Sequence, residues 1–68
     1  MSYKIGIDVG GTFTDLVAVD DKGRVVHTKT ASTPDDQSVG VMEGLALLAS
    51  ALDTQLAAML SRTERIFH

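Results

Sequence analysis

The sequence predicts an α/β fold: a three-stranded antiparallel meander, then a helix, then the start of a fourth strand. Three observations predict it. The first thirty residues contain short β-branched runs that are alternating or continuously apolar, as is typical of strands. Glycine and aspartate separate these runs, as in hairpin turns. In the second half of the chain, apolar residues recur every three or four positions, which indicates a helix that lies on the sheet.

The first two predicted strands differ in how many of their faces are apolar. From Tyr3 to Val9, apolar side chains alternate with Lys4, Gly6 and Asp8. Because successive side chains of a strand point to opposite faces, Asp8 points away from the aliphatic row. From Phe13 to Asp20 both faces are apolar, which predicts a central strand that is covered from both sides.

A polar turn and a third strand come next. The segment Asp20-Asp21-Lys22-Gly23 has turn chemistry, and Gly23 can adopt the positive φ that such turns require. The β-rich run from Arg24 to Thr30 predicts the third strand of the meander. His27 lies within this run. A lone histidine without neighbouring ligands is usually a solvated polar residue, so we assign His27 no role.

The helix is predicted to begin in the loop after the third strand. Thr33 or Asp35 can cap it, and Pro34 suits its first turn. Its apolar stripe consists of Val41, Leu45, Leu48 and Leu52, flanked by Met42, Ala46 and Ala49. Gly40 and Gly44 each weaken a helix by about 1 kcal/mol relative to Ala. We interpret them as packing positions where the helix backbone comes close to the sheet.

A short second helix and a fourth strand complete the predicted order. Asp53 interrupts the apolar stripe and can cap the second helix. The apolar face continues in that helix with Leu56, Met59 and Leu60. We expect Met42 and Met59 to fill core space. The run from Arg65 to His68 predicts the start of the fourth strand.

Composition and charge exclude several classes of protein. The chain is 44% apolar and 22% charged, as in an ordinary globular protein, and its net charge is −3. Its basic residues are scattered singly, so no basic stripe is present to bind nucleic acid. It contains no cysteine, which excludes disulfides within these residues. The sequence shows no signal-peptide layout and no apolar run of membrane-spanning length, so we expect a cytoplasmic protein without a membrane partner.

The segment between the first two strands, Gly-Ile-Asp-Val-Gly-Gly-Thr-Phe-Thr-Asp, predicts a hairpin that binds phosphate. Gly10 and Gly11 free the backbone to turn sharply and bring N–H groups close to an anion. The hydroxyls of Thr12 and Thr14 can bind phosphate oxygens or metal-bound water. Asp8 is placed to hold a divalent cation, directly or through water. The implied ligand is a nucleotide with Mg²⁺.

The residues of this hairpin are not equally strong candidates for binding phosphate or metal. Gly11 and Thr12 are the strongest candidates for phosphate binding. Thr14 is either a phosphate ligand or simply a good strand former. Asp15 either serves the metal or satisfies backbone amides at the turn. Ser32 is read as a loop residue rather than a nucleophile, because no base stands near it in the sequence.

The hairpin pattern also points to a known family. The chain has neither a Walker-type G-x-x-x-x-G-K-[ST] nor a G-x-G-x-x-G fingerprint. The pattern strand, Asp, x, Gly-Gly-Thr, strand resembles the first phosphate loop of the actin, sugar-kinase and Hsp70 superfamily. The longer string, through Phe13-Thr14-Asp15, is similar to the opening of the hydantoinase A and 5-oxoprolinase family. That family includes N-methylhydantoinase A and the acetone and acetophenone carboxylase subunits.

The resemblance extends over essentially the whole chain. Ser32-Thr33-Pro34-Asp35-Asp36 and Gly40-Val41-Met42-Glu43-Gly44-Leu45 are similar to the family's loop and first helix. Arg65-Ile66-Phe67-His68 is similar to the run before its His-Gly-Thr-Thr segment. The family continues for several hundred residues beyond this point. We therefore expect residues 1–68 to be part of an amino-terminal domain and to be inactive alone.

The resemblance implies a fold and a function. The implied fold is the first part of an actin-like ATPase unit, which is a ribonuclease H-like α/β structure. The implied activity is ATP-dependent opening of a cyclic amide, such as a hydantoin or 5-oxoproline, through a phosphorylated intermediate. Its implied cofactors are ATP and Mg²⁺, and its implied partner is a second subunit or the remainder of the chain.

Three alternatives to this function remain open. The first is an ATP-dependent ketone carboxylase subunit of the same family. The second is a sugar-kinase-like or acetate-kinase-like phosphotransferase, against which the Phe13-Thr14-Asp15 continuation argues. The third is a non-catalytic piece that docks on a larger partner through its third strand and helix.

Overall fold

A computed structural model describes residues 2–67 as a single four-stranded sheet with two helices. The elements are β1 (Tyr3–Val9), β2 (Phe13–Asp20), β3 (Val25–Ala31), α1 (Gln37–Ala51), α2 (Leu56–Ser61) and β4 (Thr63–Phe67). The strand order is β3-β2-β1-β4. The first three strands are antiparallel neighbours, whereas β4 pairs with β1 in parallel. The predicted α/β order is confirmed, and His68, the last residue of the predicted fourth strand, lies outside the described residues.

One face of the sheet is covered by the helices and forms the core. The aliphatic row of β1 lies on this face, as the alternation predicted. The buried apolar residues are Tyr3, Ile5, Ile7, Leu16, Ala18, Leu45, Leu48, Ala49, Leu52 and Met59. The crossover from β3 through both helices to β4 carries the chain from one edge of the sheet to the other. This crossover explains why a parallel strand follows an antiparallel meander.

The opposite face of the sheet is open within residues 2–67. We call this the open face. Val17 and Val19 of β2 point to it and are only half-buried, whereas Leu16 and Ala18 on the covered face are fully buried. The prediction that β2 is covered from both sides is therefore wrong for the described residues, because both helices pack on the same side.

Helix α1 packs on the sheet through its glycines. A Cβ atom at Gly44 would collide with the side chain of the fully buried Leu16, and one at Gly40 would lie 3.0 Å from the Thr33 hydroxyl oxygen. The predicted packing role of both glycines is thus confirmed. Because the glycine face lies against the sheet, Met42 is turned outward and is 46% exposed. The prediction that Met42 fills the core is wrong, while Met59 is fully buried as expected.

Helix α1 is capped by Asp36. Its carboxylate accepts hydrogen bonds from the Ser38 amide at 3.1 Å and from the Ser38 hydroxyl at 2.6 Å. The prediction that Thr33 or Asp35 caps this helix is wrong, and Pro34 lies in the turn before its first residue. The Thr33 hydroxyl instead donates to the Asp36 carbonyl at 2.6 Å, within the turn that leads into the helix.

The end of α1 is a Schellman motif in which Asp53 takes the left-handed position. Asp53 has φ 56°, its amide donates to Ser50 O at 3.1 Å, and the Thr54 amide donates to Ala49 O at 3.0 Å. Asp53 therefore ends α1. The prediction that Asp53 caps α2 is wrong. Helix α2 begins after Gln55, which makes no side-chain cap hydrogen bond.

The turn between β2 and β3 forms as its residues predict. Gly23 has φ 84°. The Asp20 carboxylate accepts hydrogen bonds from the amides of Lys22 and Arg24, each at 2.9 Å. This side chain satisfies backbone donors at the turn, which explains why a carboxylate is nearly buried at the end of a central strand. The third strand runs one residue later than predicted, from Val25 to Ala31.

Candidate functional site

The candidate site is the loop of residues 10–12 that joins β1 to β2, together with the strand ends beside it. Asp8 lies on the open face near the end of β1 and is exposed. Within residues 2–67 its carboxylate makes no hydrogen bond or ion pair. Its register partner on β2 is Asp15, so two carboxylates face the same side of the sheet at adjacent positions. This arrangement concentrates negative charge where a cation is expected.

Gly10 forms the tight part of the turn. Its amide donates to Phe13 O at 2.9 Å. A Cβ atom at this position would lie 2.8 Å from the same carbonyl oxygen, closer than a side chain tolerates. Glycine is therefore required by the close approach of the backbone. Because its N–H is engaged inside the turn, Gly10 contributes the shape of the loop, and that N–H is not a free donor.

Gly11 and Thr12 carry the free donors of the loop. Both residues are exposed, and no heavy atom lies within 4 Å of a Cβ built at Gly11. Within the part of the chain that the structure describes, neither amide has a hydrogen-bond acceptor, and the Thr12 hydroxyl has no partner. The loop thus presents two backbone N–H groups and one hydroxyl to solvent next to the unpaired carboxylate of Asp8. Successive free amides of this kind are the usual protein ligands of anionic oxygens.

Thr14 is separated from this exposed group. It lies on the covered face with Leu16 and is 1% exposed. Its hydroxyl is 2.9 Å from the hydroxyl oxygen of Ser32, in the loop after β3. Of the five residues predicted to bind phosphate or metal, the structure groups Asp8, Gly10, Gly11 and Thr12 at one end of the hairpin and places Thr14 beneath it. The covered position of Thr14 follows from the sequence, because Thr14, Leu16 and Ala18 are alternate residues of one strand and therefore share a face.

Asp15 contacts a residue to which the sequence had assigned no role. The His27 Nε2 atom lies 3.2 Å from Asp15 Oδ1, and both side chains remain largely exposed. Asp15 does not bind backbone amides at the turn, which was one of its two predicted functions. Asp15 and His27 are twelve residues apart in the chain. The antiparallel pairing of β2 with β3 brings them together.

A shallow depression of about 310 Å³ lies on the open face beside the candidate site. Its lining includes Gly6 and Val17 from the middle of the sheet, Phe67 of β4, and the polar residues Asp8, Asp15 and His27. Its surface is mainly apolar, so the depression is not suited to a triphosphate. The free donors of Gly11 and Thr12 lie outside it.

The residues present fit a magnesium ion that is shared with a nucleotide. Among residues 2–67 no three histidine, cysteine, aspartate or glutamate side chains cluster closely enough to hold a metal ion by themselves. Mg²⁺ in nucleotide sites is usually held by one or two carboxylates, with phosphate oxygens and waters completing the octahedron. Asp8 provides one such carboxylate next to the loop donors.

Comparison with known proteins identifies the family. A model described as the hydantoinase/oxoprolinase N-terminal region matches residues 4–68. The chain belongs to the hydantoinase/oxoprolinase family. This confirms the family to which the hairpin and the later segments pointed. Neither helix of the described residues is long and apolar enough to span a membrane.

Two relatives of the chain are subunits of enzymes. The chain is 48% identical over 50 residues to the caprolactamase subunit alpha of Pseudomonas jessenii, which covers 74% of the chain and 7% of the relative. It is 39% identical over 59 residues to the acetone carboxylase beta subunit of Xanthobacter autotrophicus, which covers 81% of the chain and 8% of the relative. The chain therefore spans less than a tenth of the length that each relative has.

A solved structure shares the fold. The diol dehydratase-reactivating factor in its nucleotide-free form matches 97% of the chain and 12% of its own length, with a TM-score of 0.64 and 24% identity. That protein has an actin-like ATPase fold, so the predicted fold is confirmed.

Proposed function

We propose that this chain is the amino-terminal phosphate-binding segment of an ATP-dependent enzyme that opens a cyclic amide through a phosphorylated intermediate. The observation that carries the proposal is the exposed loop whose Gly11 and Thr12 amides lack acceptors within residues 2–67, next to the unpaired Asp8 carboxylate. Backbone donors without protein acceptors are typical of sites where an anionic ligand accepts their hydrogen bonds.

The proposed roles follow from the chemistry of each group. The Gly11 and Thr12 amides and the Thr12 hydroxyl donate hydrogen bonds to phosphate oxygens. The Asp8 carboxylate binds Mg²⁺ directly or through its water, and the ion when bound neutralises charge on the transferring phosphoryl group. In phosphoryl transfer the protein mainly positions groups and stabilises charge, so a rigid loop of donors is the part this segment supplies.

A cyclic amide is the substrate class that the relatives favour. The caprolactamase subunit alpha is the more similar of the two enzyme subunits, and its name denotes action on a lactam. In the proposed step the amide oxygen takes the γ-phosphoryl group of ATP, and ADP leaves. Water then adds to the activated amide carbon, the ring C–N bond breaks as the nitrogen takes up a proton, and phosphate is released together with the ring-opened acid.

A second candidate function is carboxylation of a ketone within the same family. It is favoured by the acetone carboxylase beta subunit, which is 39% identical over 59 residues. The phosphate-binding role of the hairpin is the same in both reactions. The two reactions differ in their substrate and in their second subunit, and neither of these is determined by residues 1–68.

We further propose that the active unit comprises the remainder of a longer chain and a second subunit in the cytoplasm. Both relatives carry a subunit designation in their names. The segment alone presents one loop of donors and one carboxylate, which is insufficient to enclose a nucleotide. We expect no catalysis by residues 1–68 in isolation.

The first test is nucleotide binding by the full-length protein that contains this segment. We expect binding of ATP that requires Mg²⁺ and that Asp8→Asn abolishes or weakens at least tenfold, as for loss of a charged metal ligand. Asp21→Asn is the matched control, because Asp21 is an exposed aspartate in the distant β2–β3 turn. Wild-type protein that binds no ATP, or equal binding by both variants, would refute the proposal.

The second test separates the two candidate reactions. The full-length protein, with its second subunit, is supplied with Mg-ATP and with a lactam, 5-oxoproline, a hydantoin, or acetone plus bicarbonate. Release of ADP together with a ring-opened acid supports the amidohydrolase. Release of phosphate together with a carboxylated ketone identifies the carboxylase instead. A protein that leaves both the rings and the ketone unchanged would fit a kinase instead.

A further inference from the structure

We propose that Ser32 is a positioning residue that sets the orientation of the phosphate-binding loop. This inference rests on the proposed function and extends it to a residue outside the hairpin. Ser32 lies between β3 and α1, yet it contacts the carbonyls on both sides of Gly11. Its amide donates to Thr12 O at 2.9 Å, and its hydroxyl donates to Gly10 O at 2.7 Å.

The bond to the Gly10 carbonyl acts on the neighbouring amide. The Gly10 C=O and the Gly11 N–H belong to one planar trans peptide unit, so they point in opposite directions. When Ser32 holds the carbonyl toward the loop after β3, the Gly11 N–H is turned to the other side of the loop. There it has no acceptor within residues 2–67. Ser32 thus directs a proposed phosphate donor without touching the ligand.

Thr14 donates a hydrogen bond to the Ser32 hydroxyl, while the serine proton goes to Gly10 O. A serine hydroxyl has one proton, and Ser32 gives it to Gly10 O. The contact of 2.9 Å between the two hydroxyl oxygens therefore requires Thr14 to be the donor and Ser32 the acceptor. Because Thr14 is 1% exposed, its side chain is shielded from water. The buried threonine consequently supports the loop through Ser32.

The next residue joins this contact to α1. The Thr33 hydroxyl accepts a hydrogen bond from the Gly40 amide at 2.8 Å and donates to Asp36 O at 2.6 Å. The loop after β3 is therefore tied at one end to the hairpin and at the other to the first turns of the helix. Such a link holds Ser32 against the hairpin, which a freely moving loop would not do.

The test measures Mg-ATP affinity and steady-state kinetics of the full-length enzyme carrying Ser32→Ala, Ser32→Thr or Thr28→Val. Loss of one or two hydrogen bonds that orient a donor is expected to weaken ATP affinity and raise KM for ATP by about fivefold to tenfold in Ser32→Ala. Ser32→Thr keeps the hydroxyl and is expected to restore most of the affinity. Thr28→Val is the matched control, because the Thr28 hydroxyl donates to Gly44 O at 3.4 Å, away from the loop.

The readouts distinguish positioning from general stability. A structural role alone would lower the melting temperature of Ser32→Ala and Thr28→Val without separating their ATP affinities, and that result would overturn the inference. If Ser32→Ala does not fold, Thr14→Val provides the same test, since it leaves Ser32 in place and removes the donor to its hydroxyl. A Thr14→Val enzyme with wild-type affinity for ATP would then overturn the inference.

Failure of the inference is distinguishable from failure of the proposed function. If Asp8→Asn loses ATP binding while Ser32→Ala retains it, the proposed function stands and the positioning role of Ser32 is refuted. If the wild-type enzyme binds no ATP, both are refuted.

Discussion

Asp8 and Asp15 are register partners on adjacent antiparallel strands, and their carboxylates share the open face of the sheet. Like charges directly opposite each other destabilise a strand pair. His27 lies 3.2 Å from Asp15, but Asp8 has no such partner within residues 2–67. The pair is therefore a place where the cation proposed for Asp8 would relieve this repulsion.

The first prediction is that removing the Asp8 charge has opposite effects on stability and binding. Asp8→Asn is expected to raise the free energy of unfolding by up to about 1 kcal/mol without ligand, because the repulsion with Asp15 is relieved. The same variant is expected to lose the rise in melting temperature that Mg-ATP gives the wild-type protein. Thermal unfolding with and without Mg-ATP measures both effects. A variant that melts lower than wild type in the absence of ligand would contradict the prediction.

The second prediction contrasts the two glycines of the loop. Gly10→Ala is expected to destabilise the protein by about 1–3 kcal/mol, because its Cβ would meet the Phe13 carbonyl at 2.8 Å and the backbone cannot yield locally. Gly11→Ala is expected to leave the melting temperature nearly unchanged, since nothing lies within 4 Å of its Cβ. It is expected to weaken ATP binding, because the methyl group would lie beside the amide that we propose as a phosphate donor. Calorimetric titration and thermal melts of both variants provide the check, and wild-type affinity in Gly11→Ala would argue against a phosphate contact there.

The third prediction concerns the contact between α1 and β2. Gly44→Ala improves intrinsic helix propensity by about 1 kcal/mol, yet it is expected to destabilise the protein. The new Cβ would collide with the side chain of Leu16, which is fully buried. Leu16→Val, which shortens that side chain, is expected to recover part of the loss in the double variant.

A double-mutant cycle on melting measures this coupling, and about 1 kcal/mol is expected for side chains in direct contact. Ser50→Ala is the control for helix propensity alone, because Ser50 is exposed near the end of the same helix. Additive effects of Gly44→Ala and Leu16→Val would rule out the collision.

The fourth prediction concerns the end of α1. Asp53 has φ 56°, a conformation that glycine adopts at lower cost. Asp53→Gly is expected to raise stability by up to about 1 kcal/mol, and Asp53→Val to lower it, because β-branched residues rarely enter the left-handed region. Ala51→Gly, in the last turn of the helix, is expected to be destabilising. Equal melting temperatures for the Gly and Val variants at position 53 would show that the Schellman conformation is not present.

The strands and the exposed part of the site follow from local patterns. Alternation in β1 predicts that Asp8 leaves the aliphatic face, and the pair of glycines predicts the turn. Both are local properties, which single residues and their neighbours determine. The family is likewise predictable, because the hairpin string is long enough to be distinctive.

The wrong predictions concern positions where several residues have the same chemistry, or contacts between residues that are far apart in the chain. Thr33, Asp35 and Asp36 all have the chemistry of a cap, and the sequence alone does not show that the helix begins at Gln37, directly after Asp36. Met42 was expected in the core because periodicity cannot show how far the glycines rotate the helix toward the sheet. The role of Ser32 arises from pairing of β3 with β2, which no local pattern reports.

The contacts of Ser32 have a consequence for biosynthesis. The loop at residues 10–12 is contacted by a residue 22 positions after Gly10, so the first two strands cannot by themselves form these hydrogen bonds. A nascent chain must release residue 32 from the ribosome, and β3 must dock, before the loop is set. The proposed phosphate-binding loop therefore acquires these two hydrogen bonds only after the third strand has been translated.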